Sequence, residues 1–185
     1  MDTPTALSKQ TIVLHWIVAI GMIVMLAVGV YMEENKAYEL YPLHKSFGVL
    51  IVVFVLWRIY WRAKNGWPTP VRQYRPVEIK LSKIVHWLLI IGTILMPISG
   101  MMMSGLGGHG IPLFGLELLA RNPDPADPSK VIALNETLAQ AGKVMHGLGG
   151  NVLIAAVLLH IAGALKHHMI DKDNTLKRML GKSAK

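Results

Sequence analysis

The apolar stretches of this sequence contain histidines, and these have the clearest potential for chemistry. Five lie in or at the ends of long apolar runs, and four of these can be paired by depth, namely His15, His44, His146 and His160. Ionisable side chains inside a membrane are costly and usually mark a functional interior. Imidazole binds transition metals, and two imidazoles from different helices can fill both axial positions of a haem iron. A polar contact between neighbouring helices is the simpler alternative for any one of them.

The spacing of these histidines predicts two layers. His146 and His160 are fourteen residues apart, so on one helix they lie about 21 Å apart along the axis and about 40° apart around it. His44 falls at the outer end of its run and His15 near the inner end of its run. We therefore pair His44 with His146 and His15 with His160. An iron with two such ligands has no vacant position, which favours one-electron transfer over oxygen chemistry.

Composition places these residues in a membrane. The chain has 185 residues, of which 52% are hydrophobic, and its mean hydropathy is +0.42. Apolar runs long enough to span a bilayer cover residues 11–32, 43–61, 81–104 and 141–165. We predict an all-α integral membrane four-helix bundle, formed by one domain over residues 1–185. The first run lacks a small-x-small cleavage site and is interpreted as a retained anchor.

Charge predicts the orientation of the bundle. Residues 58–83 and the tail 166–185 are rich in Lys and Arg, whereas residues 33–42 and the loop 105–140 are net negative. By the positive-inside rule, both termini are cytoplasmic and the 105–140 loop is periplasmic. The net charge of +8 is thereby explained by topology, and no nucleic-acid partner is expected.

Other local signals concern the loop and the third span. The 105–140 loop contains several glycines and four prolines, and we predict a structured cap with short helical pieces near residues 115–120 and 131–140. Pro97 is expected to bend the third span. The sequence contains no cysteine, which excludes thiolate metal sites and covalent haem attachment through C-x-x-C-H.

Glycines lie close to the histidines in the sequence, and two explanations account for them. They are Gly48, Gly147, Gly149, Gly150 and Gly163. Such residues would let a flat macrocycle approach the backbone, but they also permit close packing of helices in a membrane.

Four segments together resemble the bacterial cytochrome b561 family, whose members are four-helix membrane cytochromes. They are "LHWIVAIGMIVMLAVG", "LHKSFGVLIVVFVLWRIYWR", "VHWLLIIGTILMPISGMMMS" and "HHMIDKDNTLKRML". The resemblance implies two non-covalent haem b groups in the bacterial inner membrane. It implies that His44 and His146 ligate the periplasmic iron and that His15 and His160 ligate the cytoplasmic one. Members similar to this chain are superoxide oxidases that pass electrons to ubiquinone.

Further candidate residues carry weaker signals. His86 adds a fifth imidazole to the inner layer, where it could replace a ligand or bond a haem propionate, and we favour the second role. Cations at the inner surface could bond propionates or a quinone head group, or simply anchor the helices; these are Arg58, Arg62, Lys83, Lys166, His167 and His168. Lys45 and Lys143 are cations on the otherwise acidic side, where they could attract an anionic donor. His109 is expected to be an exposed loop residue.

These observations support a leading hypothesis and two alternatives. The leading one is electron transfer from periplasmic superoxide, or another small donor, to ubiquinone. The first alternative is a membrane anchor that relays electrons between quinone and a protein partner such as a dehydrogenase or hydrogenase. The second is a haem-free transporter that uses histidines for protons or metal, which would be expected to have repeated halves with broken helices.

Overall fold

The computed structural model describes residues 2–3 and 5–182. Four long helices dominate it, and all four are long and apolar enough to cross a membrane. They are α1 (Lys9–Asn35), α2 (Tyr41–Asn65), α3 (Pro76–Leu106) and α4 (Glu136–Met169), followed by a short α5 (Thr175–Met179). Each long helix contains the corresponding predicted run and extends beyond it at both ends.

Local sequence explains where these helices begin and end. The Ser8 hydroxyl accepts a hydrogen bond from the Thr11 amide at the start of α1, and the Asn135 side chain does the same for Leu138 at the start of α4. These side chains satisfy amides that a helix leaves unpaired. Pro76 occupies the first turn of α3, where its missing N–H costs nothing. Gly66, with φ of +72°, ends α2.

The tightest packing joins α3 to α4. A Cβ atom placed on Gly142 of α4 would lie 2.7 Å from the Met103 amide nitrogen and 3.0 Å from the Ser99 carbonyl oxygen. The two backbones can therefore approach this closely only because residue 142 is glycine. By contrast, α1 packs mainly against α2 and touches α4 only slightly.

The core of the bundle is small, and much apolar surface faces outward. The main cluster of buried apolar residues consists of Val18, Met22, Ile51, Val55 and Leu153. Apolar side chains in the middle of the helices, such as Ile20, Val53 and Leu158, are exposed. A protein in water would rarely leave such a continuous apolar surface uncovered, whereas lipid tails cover it without cost.

The loop between α3 and α4 forms a cap that differs from the predicted one. Strands β1 (Ile111–Leu113) and β2 (Leu116–Leu119) pair as an antiparallel hairpin. The helical piece predicted at residues 115–120 is therefore wrong. The reason is the turn: Phe114 and Gly115 both have positive φ, at 47° and 94°, a combination that reverses the chain into a hairpin. The second predicted piece is wrong over residues 131–135, since α4 begins only at Glu136.

Both ends of the chain meet at the same end of the bundle, which we call the terminal end. The Trp16 indole donates to the Met179 carbonyl over 2.8 Å. Arg178 donates to the Thr3 carbonyl over 3.0 Å, and it also donates to the Thr69 carbonyl in the linker between α2 and α3. We call the opposite end, which carries the hairpin, the loop end. There the Phe114 amide donates to the Ser46 hydroxyl of α2 over 3.0 Å.

The α3–α4 contact generates a stability prediction. Replacing Gly142 with Ala should lower the melting temperature of the detergent-solubilised protein by several degrees, because the new methyl group meets backbone atoms that cannot move aside. Gly163→Ala is the comparison, since a methyl group at that position of α4 would lie more than 4 Å from any neighbouring side chain or helix. Equal melting temperatures for the two variants would contradict this account of the contact.

Candidate functional site

At the loop end, the structure places His44 of α2 beside His146 of α4. Their ring centres are 6.3 Å apart and the ring planes are nearly perpendicular, at 83°. Both side chains are half-buried. The sequence paired these two histidines by depth, and the structure brings them together.

His146 is held in a defined orientation by α3. Its Nδ1 lies 3.0 Å from the Met96 carbonyl oxygen and 3.1 Å from the Ser99 hydroxyl. A carbonyl oxygen can only accept, so Nδ1 carries the proton and donates it to Met96. The other ring nitrogen, Nε2, then has a free lone pair, which is the state that binds a metal. Ser99 is 0% exposed, so solvent does not compete for this arrangement.

His44 has a buried nitrogen without a protein partner. Within residues 2–3 and 5–182, Nδ1 of this ring finds no hydrogen-bond partner, although it is buried. An unpaired buried polar atom is costly. Next to the ring, α1 and α2 enclose an apolar cleft of about 430 Å³. A buried imidazole beside an apolar cleft suits a site that a flat, largely apolar cofactor completes.

At the terminal end, His15 of α1 lies beside His160 of α4. Their ring centres are 6.2 Å apart. An Nη atom of Arg58 lies 3.2 Å from Nδ1 of His15. Because a guanidinium group can only donate, Nδ1 of His15 is the acceptor in this contact. Arg58 is thereby placed at the edge of the second histidine pair, where the sequence predicted a cation.

The spacing of both pairs fits one metal ion between two imidazoles. A metal–imidazole bond is about 2 Å long and the nitrogen lies about 1 Å from the ring centre, so two rings on opposite sides of one ion have centres about 6 Å apart. The observed separations of 6.2 and 6.3 Å agree with this sum. Nδ1 of His44 is unpaired, and Nε2 of His146 carries a free lone pair. These nitrogens and the two ring separations fit a haem iron held by two histidines.

His86 also joins the terminal-end layer, but in a different geometry. Its ring centre is 5.3 Å from that of His160 and the two rings meet edge to face. This distance is shorter than the separation of about 6 Å between ring centres that two imidazoles need when they hold one metal ion between them. Nδ1 of His86 lies 2.6 Å from the Ser82 carbonyl oxygen, so it donates there. These contacts agree with a supporting role for His86, which remains a prediction.

The basic residues at the end of α4 lie in an ion-pair cluster, which we call the clasp. His167 contacts Asp171 at 2.9 Å and Asp173 at 3.3 Å. Lys166 pairs with both Glu78 and Asp171, and Tyr74 donates to Asp173; Arg72 also pairs with Asp171. His168 is exposed. The predicted cofactor-binding role of His167 and His168 thus has no direct geometric support, since His167 is engaged with carboxylates.

The predicted cations at the loop end occupy different surroundings. The Lys45 ammonium lies 3.5 Å from the His109 carbonyl oxygen. Partial burial, followed by the positive charges of Lys45 and Arg121, lowers the pKa of His109, so two positive charges lie near this neutral imidazole, one of them on the residue that follows His44. His109 is exposed, as predicted. Lys143 lies exposed on α4 beside an open groove with Gly147, and no described contact joins it to Lys45.

Sequence reasoning did not identify the partners of His146. Ser99 and the Met96 carbonyl flank Pro97 in "LMPISG", a segment interpreted only as a bend. Arg121 was also missed as a neighbour of Lys45, because it follows the hairpin that the sequence did not predict. A serine two residues after a proline in an apolar span was the available signal, since a membrane hydroxyl needs a partner.

Comparison with known proteins agrees with the family resemblance seen in the sequence. Residues 6–182 match the family described as prokaryotic cytochrome b561. The chain is 31% identical to "Cytochrome b561 homolog 2" of Escherichia coli (strain K12), over 99% of this chain and 95% of the relative. The chain belongs to the prokaryotic cytochrome b561 family. It is also 28% identical to "Probable superoxide oxidase CybB" of Yersinia pestis, over 91% of this chain and 92% of that protein.

Family membership confirms the general prediction from sequence. This cytochrome is a multi-pass membrane protein of electron transfer, and its family implies b-type haem. A second Escherichia coli relative, "Cytochrome b561 homolog 1", is 26% identical over 94% of this chain and 96% of its own length.

The clasp generates a prediction about pH. The hydrogen bond from Lys166, with further help from Arg72 and His167, lowers the pKa of Asp171 against the effect of burial. A carboxylate whose pKa is lowered by folding stabilises the fold above its ordinary pKa, and that contribution disappears as the pH falls through the folded value. Asp171→Asn should therefore melt at a lower temperature than the wild type near pH 7, and the difference should vanish under strong acid.

Glu117→Gln is the matched control for this measurement. Glu117 is exposed and, among the residues that the structure describes, its carboxylate makes no ion pair, so its removal should leave the melting temperature unchanged. The melting temperatures are measured by intrinsic fluorescence. If the difference in melting temperature between the wild type and Asp171→Asn stays constant from pH 7 to pH 3, the clasp does not act as an electrostatic contact.

Proposed function

We propose that this cytochrome binds two b haems and carries electrons between them across the bacterial inner membrane. In this proposal His44 and His146 hold the loop-end iron, and His15 and His160 hold the terminal-end iron. The observation that carries the proposal is the presence of two imidazole pairs with ring centres 6.2 and 6.3 Å apart. Each pair includes one histidine of the same continuous helix, α4.

The chain prepares these histidines for ligation in two ways. Met96 accepts the Nδ1 proton of His146 and so leaves Nε2 available. At the other pair, a metal bound to Nε2 of His15 would leave the proton of this ring on Nδ1. Nδ1 and the Arg58 guanidinium would then both be hydrogen-bond donors, and their present contact would be lost. Arg58 would be free to bind an anionic group, and a haem propionate is one. Haem held by two histidines supplies one-electron transfer without an open position for oxygen.

We further propose superoxide as the donor and ubiquinone as the acceptor. Support comes from the name of the Yersinia pestis relative, a probable superoxide oxidase, and from the positive charges of Lys45 and Arg121 near His109. Two superoxide ions would each lose one electron and leave as molecular oxygen. One ubiquinone would take up both electrons together with two protons and become ubiquinol.

The proposed direction of transfer follows from charge. The terminal end carries the basic linker between α2 and α3 and the basic tail, so by the positive-inside rule it faces the cytoplasm, with both termini. The loop end then faces the periplasm. His146 and His160 lie about 21 Å apart along α4, a separation that spans most of the hydrocarbon core.

Haem content tests the ligand assignment. The purified wild type should contain about two protohaems per chain, each six-coordinate, because each histidine pair occupies both axial positions. His146→Ala and His15→Ala should each lose about one haem and keep the other. The measurement is haem quantitation together with the reduced-minus-oxidised spectrum.

His109→Ala is the control, since this exposed loop histidine should retain both haems. A wild type with a single haem, or ready binding of carbon monoxide at both sites, would contradict the ligand assignment.

The role of Lys45 as an attractor for superoxide gives a second test. Lys45→Gln should slow the reduction of haem by superoxide about three-fold at low ionic strength, because positive potential near a site raises encounter rates with anions. The effect should shrink as salt is added. Rapid mixing of the oxidised protein with superoxide, followed at the Soret band, measures this rate, and Lys143→Gln should show a smaller decrease.

The comparison variant is Lys130→Gln. Lys130 lies in the loop between α3 and α4, whereas Lys45 lies on α2, and it is paired with Asp127, so its loss should not change the rate. If wild type, Lys45→Gln and Lys130→Gln all react at the same rate at low salt, Lys45 has no part in attracting the donor.

A further inference from the structure

Three side chains outside the histidine pairs form an aromatic cluster at the terminal end. The Trp67 ring centre lies 6.1 Å from His86 and 6.2 Å from Trp87. His86 in turn contacts His160, with ring centres 5.3 Å apart. The cluster thus connects a proposed iron ligand with the surface of the bundle.

The linker between α2 and α3 builds this cluster. Gly66 ends α2 with φ of +72°, a conformation that other residues rarely adopt. Trp67 follows directly and lies against α3, where His86 and Trp87 are neighbours in sequence. Trp67 and Trp87 are 56% and 55% exposed, whereas His86 is half-buried. One side of the cluster is therefore open to lipid, and the other side touches the histidine pair.

The hydrogen-bonding groups of the cluster are available for a ligand. Within the described residues, neither the Trp67 nor the Trp87 indole N–H has a hydrogen-bond partner, and neither has Nε2 of His86. Two other tryptophans of the terminal end do have partners: Trp16 donates to Met179 and Trp61 donates to Thr11. Because His86 donates its Nδ1 proton to Ser82, its Nε2 is an acceptor.

We propose that Trp67, His86 and Trp87 bind the head group of the quinone that accepts electrons from the terminal-end haem. This inference rests on the proposed function, and it names the place of the acceptor. An oxidised quinone offers carbonyl oxygens, which accept from an indole N–H. Its reduced form offers hydroxyl groups, which donate to Nε2 of His86. The cluster therefore has a hydrogen-bonding group for both states of the ligand, and the aromatic rings provide a flat apolar surface for its ring.

The position of the cluster also suits the transfer. His86 would lie between the proposed ligand His160 and the bound head group, so one side chain would contact both. The exposed tryptophans would let an apolar molecule enter from the bilayer without crossing water. Reduction of one ubiquinone needs two electrons, which a bound haem would supply one at a time, and two protons, which would come from water at the terminal end.

The test follows the anaerobic reoxidation of reduced, haem-loaded protein by ubiquinone-1 over a range of concentrations. His86→Leu should raise the half-saturating concentration about ten-fold, which corresponds to the loss of one hydrogen bond in a largely apolar site. His86→Gln should raise it less, because an amide still offers a hydrogen bond. Trp67→Phe should raise it moderately by removing the N–H while keeping the ring. Haem content should be two per chain in all of them.

Trp57→Phe is the matched control, since Trp57 is also an exposed tryptophan towards the terminal end but lies on α2 outside the cluster. An unchanged half-saturating concentration in His86→Leu and Trp67→Phe, with normal reoxidation of the wild type, would overturn this site and leave the proposed function intact. Loss of a haem in His86→Leu would also overturn it, because His86 would then be a ligand. Failure of the wild type itself to react with ubiquinone-1 would instead overturn the proposed function.

Discussion

The close contact between α3 and α4 is the constraint on which the remaining structure depends. Gly142 lets the two backbones meet, and Ser99 and Met96 on the facing surface of α3 then reach His146. Since α4 is continuous from Glu136 to Met169, the same contact also fixes the height and direction of His160. One helix therefore sets both histidine layers, and α1 and α2 each add one partner. The apolar cleft between α1 and α2 lies next to His44, on one side of the loop-end pair.

The two layers share a spacing but differ in what surrounds the histidines. His146 is bonded to a carbonyl, which increases the electron-donating strength of an imidazole ligand. His15 instead accepts a hydrogen bond from the Arg58 guanidinium, a contact that ligation through Nε2 of His15 would replace. The two pairs would therefore reach the metal-binding state of their imidazoles by different routes.

The sequence predicted the helices and histidine pairs because both follow from regular periods. Hydropathy defines the spans, and fourteen residues on a helix return nearly to the same face. It did not predict the hairpin, because Phe114 adopts positive φ, which is uncommon for a bulky residue. Nor did it predict that Trp67 lies against His86, because that contact depends on the turn at Gly66. The sequence did not predict contacts that depend on irregular backbone, and one of these contacts, between Trp67 and His86, forms part of the proposed quinone site.

Local charge at the loop end matters more than the net charge of its segments. The 105–140 loop is net negative, which by itself would repel an anionic donor. Yet charges in solution act over only about 8 Å at physiological ionic strength. Asp127 is paired with Lys130, whereas Lys45 and Arg121 lie close enough to His109 to lower its pKa. Near His109, next to the residue that follows His44, the local charge is therefore positive although the loop as a whole is net negative.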